Sequence, residues 1–354
     1  MSMTTNHISS MSIGMASRLS IAKLQTQLQD AQKELSTLRH ADVGLALGYR
    51  TGETISMRQE VTRLKTITDT NGIANARLDA SDVALKGLGK GAQDFLGNLF
   101  LARNGGITAK ALADVAKNAL LSFADGANTT LNGTYVFGGI NSDIKPMKAY
   151  QAAPPSAAKT AVDDAFQTAF GVSQTDPSVS SLTPAQVEAF LDGPFKDMFE
   201  TSAWNTNWSS AASNNITSRI STTEITDTGT NSNEPAFRKL AQAYTMMADL
   251  GGQNMSEDAY QKLVEKAVTL VNAAITDITR LRTDFGSAKA RITNANERMS
   301  IQINVLNENV TSLEGVDSAE ASVRVTSLLT QIQTAYSVTA KIQSLSILNY
   351  IPNS

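Results

Sequence analysis

Residues 24–38 read LQTQLQDAQKELSTL, and residues 321–342 read ASVRVTSLLTQIQTAYSVTAKI. In both stretches apolar or small side chains recur at alternating steps of three and four, which is typical of helices that pack along one narrow stripe. The positions are Leu24, Leu28, Ala31, Leu35 and Leu38 near one end, and Ala321, Val325, Leu328, Ile332, Ala335, Thr339 and Ile342 near the other. Each stripe needs a second helix to cover it, so we expect the two ends of the chain to pair antiparallel.

Two longer helical patterns lie between these ends. One runs from about Glu53 to Arg103, and polar residues interrupt its heptad register, which predicts an adaptable seam. The other begins at the capping candidate Ser256 and keeps steps of three and four from Leu263 to Leu313, which predicts a helix about 85 Å long at roughly 1.5 Å per residue. Because a compact core needs no helix of that length, the pattern favours a rod.

The middle of the chain has a different composition. Seven of the eight prolines lie between Pro146 and Pro235, and so do both tryptophans. Asn132-Gly133 is a strong turn signal, and the β-branched and aromatic segment Thr134–Phe137 follows it. The predicted fold is mainly α: a long antiparallel helical rod, resembling a coiled-coil bundle, built from both termini, with a mixed, partly β middle domain at the tip.

These changes of pattern predict the domain boundaries. We expect an N-terminal assembly helix and loop at 1–52, the N-terminal half of the rod at 53–133 and the exposed middle domain at 134–233. The C-terminal half of the rod follows at 234–314, and the C-terminal assembly helix at 315–354.

The composition excludes several classes of function. The 30 basic and 33 acidic residues give a net charge of -3, so we expect binding to neither nucleic acid nor an anionic membrane. No apolar run approaches the roughly 18 residues of a membrane span, so we expect no membrane insertion. Cysteine is absent, which excludes disulfides and thiol catalysis. Residues 1–20 lack the pattern of a cleaved secretory signal, so export would need another route.

The sequence gives only weak evidence for catalytic or metal-binding residues. His7 and His40 are the only histidines, too few for a multi-histidine metal site. Asp163-Asp164 lacks the alternating oxygen ligands of a calcium loop and is better read as a solvated helix start. We therefore predict no catalytic residue, no metal site and no cofactor.

Two further motifs have structural readings. Gly87, Gly89 and Gly91 imitate a phosphate-binding loop, but they lie inside a helical register without a preceding strand or a Gly-Lys-Ser/Thr ending. Trp204 and Trp208 could line a ligand groove, although a core role is the better interpretation.

Several segments resemble the flagellar hook-associated proteins of the flagellin superfamily. The segment Ala127–Gly139 resembles the helix-to-strand entry to their outer domain, and Leu38–Gly48 resembles the loop after the first terminal helix in the hook–filament junction branch. Similar matches are Trp204–Ser209, Asn233–Tyr244, Arg291–Met299, Leu313–Ala321 and Leu345–Tyr350. The resemblance covers nearly the whole chain, in the order of parts derived above.

The resemblance implies a structural, non-enzymatic protein that is secreted through the flagellar export apparatus and lies at the hook–filament junction. Its implied partners are further copies of itself, flagellin, a neighbouring hook-associated protein and an export chaperone. The terminal helices would be disordered in the monomer, and Ile13–Leu38 and Ala321–Tyr350 would then pair as the inner layer of a tube. The assembly interface that we predict consists of Leu24, Leu28, Leu35, Leu38, Val325, Leu328, Ile332, Ile342 and Leu345.

Three alternatives stay open at this point. A filament flagellin shares the terminal helices, but such chains have Pro-Gln and a leucine-rich tail at the end, whereas Leu348-Asn349-Tyr350-Ile351 stands near the end of this sequence. A cytoplasmic coiled-coil adaptor or signalling rod would use the same stripes to dimerise. The middle domain could also bind a ligand such as a glycan.

Overall fold

The computed structural model describes residues 10–250 and 252–344, and it is mainly helical. Long helices pack against one another, which confirms the mainly α fold class. The α-helices of the described part are α1 (Ser10–Thr37), α2 (Val43–Leu47), α3 (Thr51–Arg103), α4 (Ala109–Ala127), α5 (Ala157–Phe170), α6 (Pro184–Asp192), α7 (Pro194–Asp197), α8 (Thr201–Asn207), α9 (Pro235–Asp249), α10 (Glu257–Glu314) and α11 (Ser318–Ser344).

Short strands form two antiparallel pairs in the described residues. Strand β1 (Thr130–Leu131) pairs with β2 (Thr134–Tyr135), and β3 (Thr217–Arg219) pairs with β4 (Ile225–Asp227). The first hairpin turns at Asn132-Gly133, where φ is 52° and 81°, as a turn with two left-handed residues requires.

The strand expected over Thr134–Phe137 is only two residues long. Beyond Tyr135 the chain leaves the hairpin, and Phe137 is buried with its ring 5.1 Å from that of Phe237 on α9. Burial of the aromatic ring therefore ends the strand earlier than the local β-propensity predicts.

The chain divides into two compact units, which we call the terminal unit (1–65 and 300–354) and the central unit (66–299). Helices α3 and α10 each run without a break across the boundary in sequence. The five-part division made from the sequence stays a prediction, although the proline-rich middle is grouped with residues 66–133 and 234–299.

The central unit has one continuous apolar core. Helix α4 packs against α9, and Tyr244 of α9 meets Phe95 of α3 edge to face at 4.9 Å. Trp204 and Trp208 are buried in this core with stacked rings 5.5 Å apart, as expected from the sequence.

The seam between α3 and α10 is partly polar within the central unit. Arg282 bonds Asp82 at 2.7 Å, and Lys289 bonds Asp79. Asn71 is fully buried in the seam, and its amide donates to the Ile220 carbonyl at 2.9 Å. Of the polar positions in the predicted register, Asp82 is ion-paired and the Asn71 amide nitrogen is bonded, whereas Asn71 Oδ1 and Asn75 Oδ1 are buried without a partner among the described residues.

The helix starts follow from capping residues. Thr108 Oγ1 accepts from the Ala111 amide at 3.2 Å at the start of α4. Asp317 accepts from the Ala319 amide at 2.7 Å at the start of α11. The Glu320 side chain bonds Arg324 at 2.7 Å, so Asp317 and Glu320 form only the first half of a capping box. In the described residues, no helix combines the length and apolar character that crossing a membrane would require.

Candidate assembly interface

Helices α1 and α11 pack against each other in the terminal unit. Gln25 Nε2 donates to the Tyr336 hydroxyl at 2.9 Å, and Arg324 bonds Glu34 at 2.9 Å. At the next point along the pair, Arg39 forms an antiparallel bridge with Gly315. Rising numbers on one helix thus match falling numbers on the other, so the two ends of the chain pair antiparallel, as the heptad stripes predict.

The predicted interface residues lie along this seam to different depths. Leu328 and Ile332 are each 8% exposed. Leu24, Leu28, Leu35 and Val325 are half-buried. Two helices cover the stripe only in part, so most of these side chains keep apolar surface that a further helix can bury.

The remaining three predicted residues lie outside the seam or outside the described side chains. Leu38 follows the end of α1 with a left-handed φ of 54°, and its side chain is half exposed. Ile342 is on α11, but its side chain falls outside the described part, and Leu345 falls outside the described residues altogether.

A buried carboxylate fastens the corner where α1 ends and α10 meets α11. The Glu314 side chain is 3% exposed, and it accepts from Arg39 at 2.5 Å and from Arg58 at 2.5 and 3.1 Å. Backbone bonds join the same corner, because His40 N donates to Glu314 O at 3.0 Å and Val316 N donates to Leu38 O at 3.1 Å. Charge-assisted bonds of this kind stabilise a fixed geometry.

These contacts determine the protonation of the corner. The hydrogen bond from Arg58 is the main cause that lowers the pKa of Glu314, and the charges of Arg58 and Arg39 act in the same direction. The same bond raises the pKa of Arg58. Glu314 is therefore an ionised, doubly paired carboxylate at neutral pH.

Sequence reasoning missed this corner. Arg39, Arg58 and Glu314 are separated by up to 275 positions, and each looks like an ordinary surface charge in its own segment. The signal that could have found them is Gly315, which interrupts the helical pattern. The chain reverses there and brings Glu314 against the loop after α1.

The terminal unit also exposes large apolar side chains that the pairing of α1 and α11 does not use. They are Met15, Leu19, Leu38, Leu45, Tyr49, Ile55, Ile301, Val305, Val323, Leu329, Tyr336 and Val338. Scattered apolar residues are normal on a surface, but a dozen on one small unit indicate surfaces that meet other proteins.

The described residues among those considered for chemistry lie in separate parts of the fold. His40 lies 3.7 Å from Glu34, whereas His7 falls outside the described residues. Gly87, Gly89 and Gly91 are helical, within α3. Asp163 is inside α5 and bonds Lys159, and no group of three or more potential metal ligands occurs among the described residues.

Two family models match the parts of the chain that form these helices. The bacterial flagellin N-terminal helical region matches residues 8–142, and the bacterial flagellin C-terminal helical region matches residues 268–351. Together the matched ranges cover more than half of the chain. The chain belongs to the flagellin superfamily. No curated protein matches it.

Membership of the flagellin superfamily assigns a structural role in the bacterial flagellum, with export and self-assembly into a flagellar polymer. The N-terminal match contains α1, and the C-terminal match contains α11. The antiparallel seam therefore joins a helix of one matched region to a helix of the other.

Proposed function

We propose that this protein joins the flagellar hook to the flagellin filament, as a hook-associated protein of the junction. The observation that carries the proposal is the loop Leu38–Gly48, which resembles the junction branch and is fastened by the Arg39–Glu314–Arg58 cluster. The ending Leu345–Tyr350 resembles the same branch. Its partners would be other copies of the chain, a neighbouring hook-associated protein on one side and flagellin on the other, with an export chaperone before secretion.

The mechanism of assembly rests on burial. Helices α1 and α11 cover one another only in part. The half-buried interface residues Leu24, Leu28, Leu35 and Val325 therefore keep apolar surface that a neighbouring subunit can remove from water. Each Å² of apolar surface removed from water contributes roughly 25 cal/mol. A ring of copies would bury this surface along its whole inner layer.

Filament flagellin is the second candidate, because the matching family models describe the helical ends of flagellin itself. The two roles differ in what the cell loses without the protein. A strain without a junction protein makes hooks that carry no filament and sheds flagellin into the medium. A strain without its only filament flagellin has no flagellin to shed.

The deciding experiment is deletion of the gene, with electron microscopy of the cell surface and immunoblotting of the medium for flagellin. We expect bare hooks and free flagellin, and we expect the wild-type gene in trans to restore attached filaments. Normal filaments in the deletion strain would contradict the junction role.

A matched pair of variants tests the interface in the same strain. Leu328→Asp places a charge in the seam, whereas Gln333→Asp adds the same charge at an exposed position of α11. We expect only Leu328→Asp to leave the hooks bare. Normal filaments with Leu328→Asp would show that the seam is not needed for assembly.

A further inference from the structure

A groove of about 420 Å³ lies between α3 and α4 in the central unit. Its walls include Leu88 and Phe95 of α3 and Val115 and Phe123 of α4. This combination of size and mainly apolar lining is typical of sites that receive a small ligand or an apolar side chain.

Two glycines open the groove, and the fold does not require them. A Cβ built at Gly87 or Gly91 meets no heavy atom within 4 Å, whereas one at Gly126 would lie 2.8 Å from Leu88 Cδ2. Glycine inside a helix is less stable than alanine. Gly126 is explained by packing within the chain, whereas Gly87 and Gly91 line the groove and keep it open.

A buried tyrosine lies against the same groove. Tyr244 is 2% exposed and lines the groove, and burial alone raises its pKa above the ordinary value. Its ring packs against Phe95 and Phe123. Its hydroxyl makes no hydrogen bond within the described residues and is not among their fully buried unpaired polar atoms, so it is open to a partner from outside the chain. The groove therefore offers apolar walls and one hydroxyl to a ligand.

The terminal unit presents a matching protrusion. Tyr49 and Leu45, which are 94% and 85% exposed, are the most exposed large apolar side chains of the described residues. Their loop is held in shape, because the Leu45 amide donates to Asp42 at 2.9 Å and Thr51 Oγ1 donates to the Gly48 carbonyl at 2.8 Å. A preorganised loop with a tyrosine is a typical centre of a protein–protein contact.

We propose that the groove between α3 and α4 receives Leu45 and Tyr49 of a second copy of this chain. The inference rests on the self-assembly that is part of the proposed function, since identical copies then surround each subunit. The Tyr49 hydroxyl supplies the partner that the Tyr244 hydroxyl lacks. Because the protrusion and the groove are different surfaces, the contact is heterologous and repeats from copy to copy, as a ring or helical array requires.

The charges beside the two surfaces are complementary. Asp94 lines the groove and Arg50 follows Tyr49. Asp94 is paired with Lys90 at 2.7 Å, and Arg50 with Glu53 at 3.4 Å, in exposed pairs. Surface pairs of this kind contribute little and exchange partners readily, so Arg50 and Asp94 can meet when two copies dock.

The first test fills the groove without disturbing the chain's own packing. Gly91→Leu places a side chain in the groove, and Gly97→Leu makes the same change on α3 where no heavy atom lies within 4 Å and outside the groove. Both changes favour the helix, so the melting temperature of each purified monomer should equal or exceed that of the wild type. We expect Gly91→Leu to reduce incorporation into flagella at least tenfold and Gly97→Leu to leave it unchanged. Equal incorporation of the two variants would overturn the proposal.

The second test uses the absence of cysteine from the natural chain. Tyr49→Cys combined with Ser122→Cys, on the groove side of α4, allows a short bifunctional maleimide to join copies in isolated flagella. We expect a ladder of covalent oligomers from flagella and only monomer from the dilute secreted protein. A control protein with Gln25→Cys and Tyr336→Cys should be joined within one chain. Reaction of the control pair without any ladder from the test pair would contradict the proposal.

The two tests separate this inference from the junction role. The ladder is measured on whichever flagellar part contains the protein, so it forms in a filament flagellin as well as in a junction ring. Bare hooks in the deletion strain, together with normal function of Gly91→Leu, would support the junction and overturn the groove contact.

Discussion

Ile332→Asp should separate α1 from α11 while the central unit stays folded. Ile332 is 8% exposed at the centre of the seam, and its burial contributes about 1.5–3 kcal/mol. A carboxylate at the same depth adds a desolvation penalty, so the total loss is about 3–5 kcal/mol.

Hydrogen exchange followed by mass spectrometry on the purified monomer measures this effect, because α1 and α11 pair within a single chain in the structure. Fast exchange of α1 and α11 in the wild-type monomer would instead support the terminal disorder that the resemblance implies. Since each 1.4 kcal/mol changes an equilibrium tenfold, a loss of about 3 kcal/mol should speed exchange of amides in α1 and α11 by about 100-fold. Protection in α9, which has its own core in the central unit, should not change. Gln333→Asp is the matched control, because position 333 is exposed. Wild-type protection of α1 in the Ile332→Asp protein would refute the assignment of these helices to one seam.

Three further predictions concern other parts of the fold. The hydrogen bond from Arg58 lowers the pKa of Glu314 in the folded state, so ionised Glu314 should stabilise the fold above its unfolded-state pKa near 4.5, and this stabilisation should be lost as the pH falls through the folded-state pKa. Glu314→Gln should remove this dependence of the melting temperature on acidic pH in thermal unfolding curves. Trp204→Ala should destabilise the central unit by about 3–5 kcal/mol in chemical denaturation, because the side chain is fully buried. Asn71→Leu should remove the bond to the Ile220 carbonyl and speed amide exchange in the β3–β4 hairpin, while exchange in α4 is unchanged.

The helices could be predicted because their information is local. Heptad spacing gives the stripe that contains Leu328 and Ile332, and Thr108 gives the start of α4. Antiparallel pairing of the ends follows from the stripes, since each needs a cover. These features depend on residues within a few turns of one another.

Features that depend on distant residues could not be predicted. The shortening of β2 depends on Phe237, a hundred positions beyond Phe137 in the chain. The corner cluster depends on how the loop after α1 folds against Glu314. What could not be predicted in the proline-rich middle is its packing, in which the aromatic residues of its short helices form one core with α9.

The most direct measurement is electron microscopy of native flagella labelled with gold-tagged antibodies against residues 134–233 of this protein. The account predicts label confined to a narrow band where the hook meets the filament. Label along the whole length of the filament would contradict the junction role and assign the protein to the filament itself.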